Sequence, residues 1–218
     1  MLLVCHLVYT QQQARIYLMP VSALLLAAGN SQRFMAVKQL AKLHSETVIE
    51  HSSKALLSHH FNQVYVALGA HIASIAKKIP EQANILYCSQ WQQGIGKTIA
   101  QAITNISKHE QHIMIALADQ VLVPAQHIEK LLTLCQAHPD KIIATKAYGV
   151  IVPPVIFPKT YHHELAKLTR DRGAISIIKA NEKNVIYSQC PEAIYDIDTQ
   201  EDLVEIKARI KQNTREHA

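Results

Sequence analysis

The run Val21 to Ala27, reading VSALLLA, constrains the fold more than any other stretch. It is apolar and of strand length, the pattern of a central parallel strand buried on both faces. It ends at Ala28-Gly29, where small residues let the backbone turn tightly and approach a ligand. Asn30 and Ser31 follow with hydrogen-bonding side chains, then Arg33 and Lys38 with two cations. A glycine, polar donors and positive charges in one loop suit a polyphosphate. The alternative is an ordinary strand-to-helix turn with solvated cations.

Downstream, strand and helix patterns alternate. Gln63 to Leu68, Asn84 to Cys88, His112 to Ala118 and Lys141 to Lys146 read as strands. Helices are expected over Thr47 to His59 (N-cap Thr47 or Ser45), His71 to Lys78, Lys97 to Ser107 and Pro124 to His138. This rhythm predicts a three-layer α/β sandwich of Rossmann-like type with a mostly parallel central sheet, whose ligands sit at the carboxyl ends of the strands. From Pro153 the rhythm changes, and Val155 to Phe157, a His-rich helix near Tyr161 to Leu168, and Gly173 to Ala180 are expected to form a substrate-side insertion. The chain is expected to return through Val185 to Tyr187 and a strand at Ile194 to Ile197, then close with a helix from Thr199 to about Lys211.

The 218 residues suit one sizeable domain, placed at 19–211, with 212–218 expected to be a frayed tail. Residues 1–18 are expected to be an upstream extension, disordered or the product of a misplaced start, with a short amphipathic arm as the alternative. A formal net charge of +5 without a Lys/Arg block favours a nucleotide site over a nucleic-acid groove. No apolar run reaches the length of a membrane span. Cys5, Cys88, Cys135 and Cys190 form no C-x-x-C pair, so reduced, mostly buried thiols in a cytoplasmic protein are expected.

Asp119 follows the apolar run Ile113 to Ala118. A carboxylate at the end of a buried strand is costly to desolvate unless a cation compensates it, and Mg²⁺ bridging nucleotide phosphates is the usual partner. A turn or helix-capping Asp is the alternative. A second acidic cluster runs from Asp196 to Asp202. Strand alternation would put Asp196 and Asp198 on one face, and a helix start at Thr199 would explain Asp202. Gly96-Lys97-Thr98 ends like a P-loop, but Trp91 stands where that motif needs its first glycine. The paired histidines His59-His60 and His162-His163 read as solvated surface.

Leu26-Ala27-Ala28-Gly29-Asn30-Ser31-Gln32-Arg33 with Lys38 resembles the opening of the nucleotidyltransferases, L-A-A-G-x-S-x-R-M-G-x-x-K. Within them the chain is most similar to the molybdenum cofactor cytidylyltransferase and guanylyltransferase group, over Val21 to about Leu203. The resemblance implies that Leu26, Ala27, Ala28, Gly29 and Ser31 wrap the triphosphate and that Arg33 and Lys38 neutralise it. Ala118-Asp119-Gln120 is similar to the family's A-D-Q-P and Asp196 to Leu203 to its D-x-D-T-P-E-D-L, which implies Asp119 and Asp198 as Mg²⁺ ligands. Trp91, Gly94 and Thr98 match W-x-x-G-x-x-x-S and imply contacts to base and sugar. Asp171 and Gly173, in a segment similar to G-D-x-G-A-R, are implied to lie near the acceptor.

The family's glycines are replaced by Met35, Val152 and Arg170, and its last arginine by Ile175. Ala28, where the guanylyl-transferring relatives carry glycine, implies CTP as nucleotide. The implied acceptor is then phosphorylated molybdopterin, with sugar or isoprenoid phosphates as alternatives, and a molybdoenzyme or its chaperone as protein partner. A drifted, non-catalytic nucleotide- or cofactor-binding protein and a P-loop NTPase stand as the competing functions.

Overall fold

The structure is a computed structural model and describes residues 20–216, so the expected extension at 1–18 lies outside the described residues. Strand β1 (Val21–Leu26) is buried along its whole length. Then come β2 (Lys42–Leu43), β3 (Glu46–Thr47), α1 (Val48–Leu57), β4 (Val64–Leu68), α2 (Ile72–Ile75), β5 (Asn84–Tyr87), α3 (Ile95–Ile106) and β6 (His112–Leu117). The rest is α4 (Ala125–Ala137), β7 (Ile142–Ala147), β8 (Val150–Pro158), α5 (His162–Leu165), α6 (Ile175–Ala180), β9 (Val185–Gln189) and α7 (Gln200–Glu216).

The main sheet has seven strands in the order β5-β4-β1-β6-β8-β7-β9. The strand pairs β5/β4, β4/β1, β1/β6 and β7/β9 are parallel, while β8 runs antiparallel to both its neighbours. The strand order reverses at β1, between β4 and β6, which is where an open α/β sheet leaves a crevice at its carboxyl edge.

Alternation along β1 makes the layers. Leu24 and Leu26 pack with Ile99, Ile103 and Ile106 of α3 on one face. Ala23 and Leu25 pack with Ile49 and Leu56 of α1 and Ile75 on the other. A smaller cluster, in which Phe34, Val121 and Ile197 meet Leu203 and Ile206 of α7, fastens the glycine loop to the last helix. Thr47 caps α1 in a reciprocal capping box with Glu50.

The segment expected to be an insertion is in part a strand of the sheet itself. β8 lies between β6 and β7, joined to β7 by the two-residue turn Tyr148-Gly149, both at positive φ (48° and 82°). Pro153 and Pro154, joined by a cis peptide, hid it. Ala144 pairs with Val155 and Thr145 with Val152, so both prolines fall in a bulge, where a missing N–H breaks no ladder bond. No strand forms at Ile194 to Ile197; a 3₁₀ turn over Pro191–Ile194 and extended chain replace it, so Asp196 and Asp198 share no strand face. The closing helix continues to Glu216, past its expected end at Lys211. His162 is buried and only its neighbour His163 is exposed, against the expectation that both are solvated.

Candidate functional site

A cleft of about 780 Å³ opens at the carboxyl ends of β1 and β6, lined by the glycine loop, the turn before α3, and Asp119, Asp171 and Asp198. β1 and β6 end in register, Leu26 opposite Leu117, so the loop after one and the carboxylate after the other emerge side by side. Asp119 is tied to the second acidic segment through the backbone, Ile197 N–H donating to Asp119 O at 3.2 Å. Asp198 is fixed by the helix start behind it: the Asp202 carboxylate accepts from the N–H groups of Asp198 (3.0 Å) and Thr199 (2.7 Å). The α7 signal in the sequence therefore accounts for Asp202 and leaves Asp198 for the cleft.

Lys38 reaches both carboxylates. Its Nζ donates to Asp119 Oδ2 at 2.7 Å and to Asp198 Oδ1 at 3.1 Å, and Arg33 Nη2 pairs with Asp198 Oδ2 at 2.6 Å. Burial pulls the Lys38 ammonium towards deprotonation, but Asp119 and Asp198 more than offset it and hold its pKa above the ordinary value. Asp119 Oδ1 is buried and has no hydrogen-bond partner. A buried, ionisable oxygen left open this way is what a cation would satisfy. Among the described residues no cluster of three or more His, Cys, Asp or Glu side chains could hold a metal ion. Two carboxylates with phosphate oxygens and water are the usual shell for Mg²⁺ at a nucleotide, so the donor set fits that ion.

Of the residues singled out in the sequence, Leu26, Ala27, Ala28, Gly29, Ser31, Arg33, Lys38, Gly94, Thr98, Asp119, Asp171 and Asp198 all line the cleft. Gly173 does not; the nearest atom to a Cβ placed there is Ile95 Cγ2 at 4.0 Å. Thr98 is buried, and its hydroxyl donates back to Gly94 O at 3.3 Å. Trp91 stands over Gly69, where a Cβ would lie 2.4 Å from the ring. The P-loop reading fails on geometry. Gly96 N–H is taken by Arg170 O at 2.8 Å, and Lys97 does not line the cleft. Gln39 went unseen in the sequence. It is buried one residue after Lys38 and bonded to the glycine loop, and a lone glutamine carries no periodic signal.

The motif glycines that this chain lacks still mark special backbone. Met35 has φ 58° and Arg170 φ 52°, both in the left-handed region that glycine adopts most readily. The third, Val152, has no positive φ.

A mostly parallel sheet with a phosphate-type loop after its first strand, facing two carboxylates and two cations, defines a nucleotidyltransferase of the nucleotide-diphospho-sugar transferase fold. The chain belongs to the MobA-like NTP transferase domain family, whose model matches residues 23–185. No curated protein sequence matches it. Among solved structures it is similar to a homologue, from Mycobacterium sp. strain JC1, of the Mycobacterium tuberculosis protein Rv0371c (22% identity, 88% of this chain and 97% of that one, TM-score 0.75). It is also similar to Rv0371c of Mycobacterium tuberculosis in complex with manganese (19%, 87% and 98%, TM-score 0.71). A third is the molybdopterin-guanine dinucleotide biosynthesis protein A of Archaeoglobus fulgidus (15%, 88% and 99%, TM-score 0.65). At these identities the likeness is one of fold. No described helix is long and apolar enough to cross a membrane.

Proposed function

We propose that the protein transfers a cytidylyl group from CTP to a phosphorylated acceptor, molybdopterin being the first candidate, with release of pyrophosphate. The observation that carries this reading is the meeting of Lys38 with Asp119 and Asp198 across one cleft from the glycine loop. An acceptor phosphate oxygen attacks the α-phosphorus, the bond from that phosphorus to the bridging oxygen breaks, and pyrophosphate leaves with the electron pair. Such a reaction asks for positioning and charge compensation rather than covalent help from the protein.

Arg33 and Lys38 supply the compensation on the pyrophosphate side. Their present partners are carboxylates, so a bound triphosphate offers each cation an anion to exchange for the one it holds. Asp119 and Asp198 are the residues that would hold Mg²⁺, and the ion when bound screens charge between the phosphates. The preference for CTP rests on Ala28, buried at the loop where guanylyl-transferring relatives carry glycine. The molybdopterin acceptor rests on the family and on the likeness to the Archaeoglobus protein.

Ile175, 38% exposed where the family carries arginine, favours a second reading: a protein that binds the nucleotide without turning it over. Pyrophosphate release from CTP, GTP and ATP with Mg²⁺ and molybdopterin decides between them, in wild type and Asp119→Ala. Release with CTP alone, lost in the variant, is the expected result. CTP binding with no release under any condition would move the assignment to the second reading or to another acceptor.

A further inference from the structure

The loop after β1 has an uneven hydrogen-bond economy. The carbonyls of Ala27 and Gly29 both accept from Gln39 Nε2, at 3.1 and 2.9 Å. The carbonyl between them, Ala28 O, accepts from Ala70 N–H at 3.0 Å, and Ser31 O accepts from Phe34 N–H at 3.0 Å. Gln39 Oε1 in turn accepts from Ser31 Oγ at 3.2 Å, so both ends of the amide are engaged. Among the described residues, the N–H groups of Ala28, Gly29, Asn30 and Ser31 meet no acceptor.

In a trans peptide the carbonyl and the following N–H point in opposite directions. Two carbonyls drawn onto one side-chain amide therefore turn the Ala28 and Asn30 N–H groups away from Gln39. The loop that lines the cleft therefore has its Ala27, Ala28 and Gly29 carbonyls engaged by the protein and four successive N–H groups left without an acceptor among the described residues. Such a run of backbone N–H groups attracts anions, and a fixed orientation spares the cost of ordering it at each binding event. Ser31 adds a second constraint, since it is held in the left-handed region at φ 57°.

We infer that Gln39, which itself lines the cleft, is a positioning residue that sets the polarity of this loop for a polyphosphate, acting through the backbone carbonyls it holds. The inference rests on the nucleotidyltransferase reading for its ligand but not for its backbone effect. Gln39 is 4% exposed, and any change there risks the fold, so two variants are compared. Gln39→Glu keeps the shape and the acceptor for Ser31 but has no amide to donate. Gln39→Met removes both.

The experiment is ¹⁵N relaxation on the free protein, paired with calorimetric CTP binding in Mg²⁺ and with thermal unfolding as the control for folding. In both variants the order parameters of Gly29 and Asn30 should fall from about 0.85 towards 0.6 or below while those of β1 and β6 stay high. The dissociation constant for CTP should rise about tenfold or more, the loss of roughly one well-aligned contact. Unchanged order parameters in the folded variants would overturn the inference, and so would mobile loops that bind CTP as wild type does. If wild type binds no nucleoside triphosphate, the functional reading fails on its own, and the relaxation data alone decide whether Gln39 fixes the loop.

Discussion

Lys38 Nζ stands 2.7 Å from Asp119 Oδ2 with both side chains mostly withdrawn from water, and the same nitrogen reaches Asp198 Oδ1 at 3.1 Å. One ammonium therefore lies between two carboxylates that would otherwise repel each other, in the space a divalent ion would share with them. Lys38→Met should destabilise the metal-free protein by about 1–3 kcal/mol, the range for losing hydrogen bonds to charged groups. It should also tighten binding of Mn²⁺ in the absence of nucleotide, because no fixed cation competes. Electron paramagnetic resonance titration of free Mn²⁺ reads this directly. Equal affinity in wild type and variant would show that the ammonium does not hold the carboxylates against the metal.

Met35 and Arg170 keep left-handed backbone at positions where the family pattern has glycine. A side chain there strains the backbone, and Met35 is 92% exposed, so packing recovers nothing. Met35→Gly should raise stability by about 1 kcal/mol, the reverse of the usual penalty for a side chain at positive φ. Arg170→Gly should do the same, since that residue is exposed as well. Denaturant midpoints check both, and a loss of stability in Met35→Gly would mean the strain is not there.

These positions show what the sequence could and could not carry. The β1 run, Asp119 at the end of β6 and the Thr199–Asp202 helix start were legible because periodicity and capping are local signals. The family motif then gave the cleft lining almost residue by residue. β8 was not legible, since Pro153-Pro154 reads as a break until its partner strand supplies the bulge that accommodates it. Nor was Gln39, whose role depends on carbonyls ten or more residues away that only the folded loop brings to it. The glycine replacements looked like damage in the sequence, whereas the backbone at Met35 and Arg170 keeps the left-handed geometry.

Gly94 is the least replaceable position of the cleft wall. Its φ of 103° is outside the range of ordinary side chains, and a Cβ there would lie 2.4 Å from Asp171 Oδ1 and 2.6 Å from the Arg170 carbonyl. Gly94→Ala must therefore push the Arg170–Asp171 segment away from the turn before α3. The expected result is a fall in CTP affinity of about tenfold or more, together with a stability loss of about 1–3 kcal/mol. Calorimetry alongside thermal unfolding separates the two effects. Unaltered CTP binding would place this wall outside the nucleotide site.

His127 makes the fold sensitive to acid far from the cleft. It is buried in α4, with its Nε2 2.9 Å from Thr145 Oγ1, while that hydroxyl donates to Pro154 O at 2.6 Å. With the Thr145 proton already given to Pro154, His127 is the donor, so the neutral ring carries its hydrogen on Nε2. Burial, aided by Lys130 and opposed by Glu192, pushes its pKa down to about 4. The unfolded chain, with a histidine near 6.5, then binds more protons than the native state between those two values. Its contribution is complete above pH 6.5 and is lost as the pH falls towards 4, at most about 3 kcal/mol for this side chain. His127→Gln keeps an amide donor and removes the titration. Urea unfolding at pH 7 and pH 4.5 should show wild type losing more stability than the variant. His162, also buried and shifted down, contributes equally to both proteins and cancels in the comparison. Parallel losses in the two would assign the acid sensitivity to groups other than His127.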